Sequence, residues 1–359
     1  MLGVTPTVST NGQGETNTVV LWGMAMDLKE AEIQVLAQIR GAEIDSEPTD
    51  RESLENRGNR YWIYREDWSD AFFSLGDKGL IDGEDNAYRL TYEGIPQADA
   101  YYQQRPDLYW YHFQQLYAAL FESEAHKKLC KRVFGRDLCQ ENMTDMRALD
   151  GVLQKLNLKA GEHVLDLGCG AGGIAEYISA KTGASITGID YSKTAISTAS
   201  ARTKDKRDML NFLEGDMNTL ELPERSFDAA YSIDSIYWVA NTTDAIRRIA
   251  RGIKPGGKLA ILIVQIGKYC ARPEELELHG TNVAAALQSL NLDHQAYDYS
   301  DDFRDFWPRV KEAATELRGE YEREGNEFIA DNYIREADTE FLPAIEADEI
   351  RRYLYIATI

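Results

Sequence analysis

The 359-residue chain predicts an α/β fold: a Rossmann-like, doubly wound and mostly parallel sheet, preceded by a smaller, mainly helical domain. Two observations support this. Strand-like apolar segments alternate with helical segments after residue 160, which is typical of a parallel sheet covered by helices on both faces. The first of these strands begins near His163 and ends in a cluster of glycines that leads directly into a helix.

Apolar runs and the segments between them place the elements of this sheet. The predicted strands are 162–167, 185–190, 210–214, 227–233 and 258–265, and the predicted helices are 173–182, 192–203 and 243–252. After Val264 the regular alternation ends. Residues 300–340 have the pattern of polar, acidic helices inserted before a final strand at 351–358. We expect this insertion to form a lid over the carboxyl edge of the sheet.

Composition and pattern divide the chain into four segments. We predict a flexible tail at 1–25, a winged-helix-like domain at 26–105, a helical and aromatic connector or cap at 106–143, and the α/β domain at 144–359. The α/β domain is expected to begin with Thr144 as the N-cap of an amphipathic helix. A chain of 359 residues is too long for one average domain and favours one large domain together with a smaller one.

The winged-helix prediction rests on two helical faces followed by two short strands. The faces are marked by Leu28, Ile33, Leu36 and Ile39, and by Trp68, Phe72, Phe73 and Leu75. Residues 76–94 then have the pattern of a helix end at glycine, a strand, an acidic turn and a second strand. Between Asp27 and Arg105 there are nine basic and eighteen acidic residues, which argues against DNA binding. Dimerisation or coverage of the active site is favoured, so the sequence allows a homodimer.

The overall charge is equally informative about partners. The formal net charge is −21, and such an excess of acid repels phosphate backbones and anionic lipid, so neither nucleic acid nor a membrane surface is expected. No apolar run is long enough for a membrane span. Residues 1–20 contain no Lys or Arg, whereas a secretory signal begins with a positively charged region, so no such signal is expected. The four cysteines show no metal-binding or disulfide-scaffold spacing. We therefore expect a cytoplasmic protein without a metal.

The glycine cluster predicts a cofactor site. Gly168 and Gly170, with Gly173, satisfy the pattern of a dinucleotide loop, which taken alone is weak evidence. Asp166, two residues before the first glycine, is the discriminating residue, because a pyrophosphate does not call for an acid there. S-adenosylmethionine (SAM) has no phosphate, and its ammonium can be held by such an acid, directly or through water. The sequence therefore favours SAM over NAD.

Residues at the ends of the next strands complete the predicted cofactor site. Asp190 ends the second strand, where a carboxylate can accept hydrogen bonds from both ribose hydroxyls. After the third strand, Asp216 can accept from the adenine amine while Met217 packs on the ring. Ile233, at the end of the fourth strand, is predicted to contact the cofactor as well.

In order and spacing, the segments DLGCGAGG, GID, EGDM, FDAAYS and KPGGKL resemble a class I SAM-dependent methyltransferase of the "type 11" small-molecule group. The resemblance covers about 150–265. It implies a Rossmann-like fold, SAM as cofactor and S-adenosylhomocysteine as product. Similar amine and phosphoethanolamine methyltransferases often have a histidine after the fourth strand, whereas this chain has Trp238 there.

The catalytic candidates are therefore chosen by location. Asp234 and Tyr237 follow the fourth strand, and His112 is the only imidazole in the aromatic stripe 108–121. Each could act as the base that a weakly nucleophilic acceptor needs. Aromatic walls for a flat or cationic acceptor could come from Trp238, Tyr111, Phe306 and Trp307, which could equally belong to the core of the lid.

We interpret the sequence as a SAM-dependent methyltransferase of a small molecule, with N- or O-methylation favoured and C-methylation kept open. Two alternatives come from other classes. One is a non-catalytic SAM-binding regulator that acts through the winged helix. The other, less favoured, is an NAD(P)-linked oxidoreductase on a similar sheet.

Overall fold

A computed structural model describes residues 28–45, 47–59, 68–84, 87–104, 113, 116–270 and 272–359. The chain forms two compact units. One contains Met1–Arg57 and Glu66–Gln104, and the other contains Gly58–Arg65 and Arg105–Ile359. The division after Gln104 lies next to the domain boundary predicted at residue 105. The predicted tail at 1–25 lies outside the described residues.

The first unit contains the two predicted helices and the two predicted strands, together with two helices that were not predicted. Its elements are α1 (Glu30–Asp45), α2 (Arg51–Asn59), α3 (Ser69–Asp77), the antiparallel strands β1 (Ile81–Glu84) and β2 (Ala87–Leu90), and α4 (Gly94–Gln104). Leu36, Ile39 and Leu75 are fully buried. Phe72 is buried too, but Phe73 is 73% exposed. The prediction that Phe73 lies on the buried face was therefore wrong, because neighbouring positions of a helix are rotated by about 100° and point in different directions. The winged helix itself stays a prediction.

The second unit is built on a mixed sheet of seven strands in the described part of the chain. The strands are β3 (His163–Leu167), β4 (Ser185–Asp190), β5 (Leu210–Glu214), β6 (Phe227–Ile233), β7 (Ile253–Ile266), β8 (Asp293–Asp298) and β9 (Ile350–Thr358). Their spatial order is β5-β4-β3-β6-β7-β9-β8, with β9 antiparallel to both neighbours and the pairs among β3–β7 parallel. The doubly wound, mostly parallel sheet is confirmed.

The central strands are apolar because helices cover both faces. β3 and β6 are buried along almost their whole length, as in parallel sheets generally. One face is covered by α6 (Met146–Leu156), α7 (Gly173–Thr182) and α8 (Lys193–Arg202), and the other by α9 (Thr242–Gly252) and α10 (Asn282–Ser289). The chain changes face between β3 and β6. At such a switch point the carboxyl ends of the strands leave a crevice where ligands bind.

Local capping explains where several of these helices begin. The side chain of Ser192 accepts from the Ala195 N–H at the start of α8. At the start of α6 the cap is Asp145, whose carboxylate accepts from the Ala148 N–H at 3.0 Å. The prediction of Thr144 as this cap was therefore wrong by one residue. The hydroxyl of Thr144 instead donates to the carboxylate of Asp234.

The late insertion is helical, as its sequence predicted. It contains α11 (Ser300–Phe303), α12 (Phe306–Arg323), α13 (Glu327–Glu336), a π-helical turn (Ala337–Phe341) and α14 (Leu342–Glu346). It shares one hydrophobic cluster with α5 (Glu124–Val133). Phe306 and Trp307 are 2% and 3% exposed, and the Trp307 ring stacks on Phe341 at 3.7 Å. These two residues were predicted either to form an aromatic wall for the acceptor or to belong to the core of the lid, and they lie in the core of the insertion.

Two elements between β7 and the insertion were not predicted. α10 and β8 follow the point where the regular alternation of the sequence ends. β8 is an edge strand whose side chains are partly exposed, so it lacks the apolar run by which the central strands were found. Among the described residues, no helix combines the length and apolarity needed to cross a membrane.

Candidate active site

The glycine loop lies at the carboxyl end of β3 and has a backbone that only glycine adopts easily. Gly168 has φ +74° and Gly170 has φ +53°. A Cβ on Gly168 would lie 2.4 Å from the Cβ of Ser235, and one on Gly170 would lie 2.6 Å from the Tyr117 hydroxyl. The lack of space for a Cβ and the positive φ angles therefore both favour glycine at positions 168 and 170.

Hydrogen bonds inside this loop decide which cofactor it suits. The N–H groups of Gly168 and Cys169 donate to the Ile189 carbonyl at 2.8 and 3.1 Å, and that of Gly170 donates to the carboxylate of Asp190 at 2.8 Å. A dinucleotide loop uses such N–H groups to bind a pyrophosphate. Here they are bonded to the neighbouring strand. The loop therefore suits a cofactor without phosphate.

Asp190, at the end of β4, joins the loop to the next helix. Its two oxygens accept from the N–H groups of Gly170 and Ser192, each at 2.8 Å. Burial raises the pKa of its carboxyl to about 6, although the backbone donors oppose the shift. The Tyr191 N–H is a third backbone donor; since a carboxylate has about four acceptor positions, capacity remains for a ribose hydroxyl. The position matches the predicted role.

Asp166, near the end of β3, is a buried acid with an unfilled bonding capacity. It is 3% exposed, and its Oδ2 has no hydrogen-bond partner in the described part of the chain. Burial raises the pKa of this carboxyl to about 8; the adjacent Tyr231 hydroxyl opposes the shift, and the charge of Asp190 adds to it. A buried acceptor without a partner is costly. A bound ammonium would supply both the missing hydrogen bond and the opposite charge.

These side chains face one cavity of about 480 Å³, a volume within the usual range for ligand sites. Every residue predicted to bind the cofactor lines it: Asp166, Gly168, Gly170, Asp190, Asp216, Met217 and Ile233. The carboxylate of Asp216 is held by the backbone and side-chain N–H groups of Asn218, both at 2.8 Å. The sequence therefore identified residues that the fold brings together. Their contacts with a cofactor stay a prediction.

An aromatic cluster lines the same cavity. The ring of Phe113 lies 6.0 Å from that of Tyr117, 6.2 Å from that of Tyr191 and 6.5 Å from that of Trp238, measured between centroids. All four rings line the cavity. Trp238 was predicted as part of an aromatic wall and has this position. Tyr111 lies outside the described residues.

Asp234 lines the cavity but is engaged in a buried ion pair. Its carboxylate pairs with the guanidinium of Arg352 on β9, and both side chains are 1% exposed. Its Oδ2 also accepts from the Thr144 hydroxyl at 2.8 Å and from the Met143 N–H at 3.0 Å. A carboxylate committed in this way is poorly placed to take a proton from an acceptor. The arrangement favours a structural role over the predicted catalytic one.

The other two catalytic candidates have different outcomes. Tyr237 is 37% exposed and does not line the cavity; its ring meets the edge of Trp238 at 5.3 Å. Burial, with the charge of Asp234, raises the pKa of its hydroxyl well above the ordinary value, so the hydroxyl end lies inside the protein, and its catalytic role stays a prediction. His112 lies outside the described residues, and its role stays a prediction.

Glu141 is a cavity residue that the sequence reasoning missed. It lies in the irregular segment between α5 and α6. Burial raises the pKa of its carboxyl to about 8, and the charges of Glu336 and Asp234 add to the shift. No local motif marks this position. Only the fold brings it beside residues that are nearly 100 and 200 positions away in the chain.

A parallel α/β sheet with a glycine loop and acids at the ends of consecutive strands defines a Rossmann-like site for a nucleoside cofactor. Residues 165–261 match the family described as a methyltransferase domain. Together with the residues at the loop and the strand ends, this match identifies a class I SAM-dependent methyltransferase domain in the chain.

Two curated relatives show how far this similarity extends. Phosphoethanolamine N-methyltransferase 1 of Arabidopsis thaliana is 34% identical over 144 residues, which are 40% of this chain and 28% of that protein. The O-methyltransferase resE of Aspergillus sclerotiorum is 36% identical over 124 residues, which are 34% of this chain and 47% of that protein. The chain thus spans less than half the length of these relatives.

Solved structures share the fold at lower identity. The [4+2]-cyclase SpnF has a TM-score of 0.54 and 20% identity, covering 69% of this chain and 95% of that one. Phosphoethanolamine N-methyltransferase 2 of Haemonchus contortus, with S-adenosylhomocysteine bound, has a TM-score of 0.51 and 20% identity, covering 68% and 60%. One protein with this fold is thus named as a cyclase, so the reaction has to be argued from the site.

Proposed function

We propose that the protein transfers a methyl group from SAM to a small-molecule acceptor and releases S-adenosylhomocysteine. The observation that supports this best is the buried, unpartnered Oδ2 of Asp166 in the cavity, beside a glycine loop whose N–H groups are bonded internally. An acid is suited to the ammonium of SAM. The internally bonded loop is poorly suited to a pyrophosphate.

The residues of this chain would hold the cofactor at three points. Asp190 accepts from the ribose hydroxyls, Asp166 binds the ammonium, and Asp216 with Met217 holds the adenine. The bound cofactor supplies an activated methyl group on a sulfonium. The protein orients the acceptor, excludes water and, where the nucleophile needs it, removes a proton.

The names of the two curated relatives give different acceptor atoms: one is an N-methyltransferase and the other is an O-methyltransferase. We propose N- or O-methylation of a small molecule, with C-methylation as the third candidate. A cytoplasmic location and a homodimer formed through the first unit also remain proposals.

Calorimetric titration with SAM, S-adenosylhomocysteine and NADH tests this function. We expect micromolar binding of the first two and no binding of NADH. Binding of NADH with no binding of SAM would overturn the proposal in favour of an oxidoreductase. SAM binding without release of S-adenosylhomocysteine in the presence of a broad set of amines and phenols would instead favour a SAM-binding regulator.

A further inference from the structure

The charge of the cavity extends the proposed function to the class of acceptor, and the inference rests on that function. Among the described residues that line the cavity, five carry carboxyl groups and none is Lys, Arg or His. Three of the five belong to the predicted cofactor contacts. Asp234 is neutralised by its ion pair with Arg352. Glu141 is left as the acid available to an acceptor.

The surroundings of Glu141 favour a positively charged guest. The acid facing it is Glu336, at the end of α13, and the next charge is that of Asp234. Burial raises the pKa of Glu336 to about 7, with Arg335 as its nearest cation at 3.9 Å. No cation of the described residues forms an ion pair with Glu141. Two neighbouring, partly buried acids that repel each other are stabilised by a cation bound beside them.

The imidazole of His126, beside the residue that precedes Glu141, adds no positive charge. The ring of His126 is fully buried and stacks on that of Tyr333, and its Nε2 lies 3.3 Å from the Gln140 carbonyl, next to Glu141. Burial lowers the pKa of His126 to about 4, so the ring is neutral at physiological pH. The buried hydroxyl of Tyr333 has no hydrogen-bond partner among the described residues. Around Glu141, the described residues thus offer hydrogen-bonding groups but no positive charge paired with its carboxylate.

The aromatic cluster around Phe113 has the second property that a cation requires. Its four rings line the same cavity as Glu141. The face of an aromatic ring attracts an ammonium, and the attraction is strongest when the cation is desolvated. The same rings give no comparable attraction to a phosphate.

We propose that the methyl acceptor is an amine without a phosphate group, which Glu141 and the aromatic cluster bind in its ammonium form. Before transfer, Glu141 takes one proton from the ammonium and leaves the nitrogen lone pair free. The nitrogen then forms a bond to the methyl carbon while the carbon–sulfur bond breaks and its electron pair stays on sulfur. The products are a methylated ammonium, S-adenosylhomocysteine and a proton that Glu141 returns to solvent.

Three probes with one carbon skeleton test the charge preference: phenethylamine, phenethyl alcohol and phenethyl phosphate. Each is titrated by calorimetry into the full chain saturated with S-adenosylhomocysteine. We expect the ammonium to bind about tenfold more tightly than the alcohol, the scale of a desolvated cation on an aromatic face together with a carboxylate, and the phosphate to bind most weakly.

Glu141→Gln should remove the preference for the ammonium and leave binding of S-adenosylhomocysteine within about twofold. Glu346→Gln is the matched control, because it makes the same change of net charge at an exposed position on α14. It should retain the full preference.

Three results would overturn the inference while binding of S-adenosylhomocysteine persists: equal or tighter binding of the phosphate, an unchanged preference in Glu141→Gln, or no binding of any probe. Failure of S-adenosylhomocysteine to bind would instead overturn the proposed function, and the inference with it.

Discussion

The two sides of the cavity are built in different ways. The cofactor side comes from the ends of three neighbouring strands, and its consecutive acids Asp166, Asp190 and Asp216 are 24 and 26 positions apart along the chain. The acceptor side combines Phe113, Glu141, the residues after β6, and indirectly α13 and β9. Short motifs can specify the first side, whereas only tertiary packing specifies the second.

The largest expected effect concerns the structural anchor of the acceptor side. Arg352→Ala should lower the free energy of unfolding by about 3–5 kcal/mol, because Asp234 is then left buried without a partner. Urea unfolding followed by circular dichroism measures it. Arg351→Ala is the control, since its ion pair is with the exposed Asp348 and should be worth about 0–1 kcal/mol.

If Arg352→Ala does not fold, Arg352→Lys keeps the charge and loses the fork-shaped contact. We expect an intermediate loss. A loss from Arg352→Ala no larger than that from Arg351→Ala would mean that the ion pair does not stabilise this side, and Asp234 would return as a candidate base.

A smaller effect is expected on the cofactor side. Asp190→Ala should weaken SAM binding by about 1–3 kcal/mol, the scale for polar groups left unpaired, with little change in the preference among the three amine, alcohol and phosphate probes. Calorimetry measures both. Asp205→Ala, at an exposed position after α8, should bind SAM as the natural chain does. Unchanged SAM affinity in Asp190→Ala would contradict the ribose assignment.

The smallest effect is a dependence of SAM binding on pH. The pKa values of Asp190 and Asp166 are raised to about 6 and about 8, and their ionised forms are the ones that bind. At pH 7.5 Asp166 is already largely protonated and must release its proton on binding, and Asp190 becomes protonated as the pH falls through about 6. Lowering the pH from about 7.5 to 5.5 should therefore weaken binding, by at most about tenfold per pH unit for each group.

Titrations in two buffers of different ionisation enthalpy would count the protons released on binding. We expect proton release near pH 7, and less of it in Asp166→Asn. Affinity that is constant from pH 5.5 to 7.5 would argue against both carboxylates as direct or water-mediated partners of the cofactor.

This contrast also explains how much could be predicted from the sequence. The strands β3, β4, β5 and β6 and their terminal acids were placed within one residue, because each is a local pattern: a short apolar run followed by a turn. The edge strand β8 lacks that pattern. The positions of Glu141 and Asp234 depend on pairings with α13 and β9, and no local period encodes such partners.

The ion pair between Asp234 and Arg352 has a consequence for the order of assembly. It joins segments 118 residues apart, and the bond from Arg352 to Thr144 spans 208. During synthesis the glycine loop and strands β3–β6 leave the ribosome well before β9 does. A nascent chain would thus have a formed cofactor pocket while its acceptor wall still lacks its anchor, and closure of that wall would be a late event of folding.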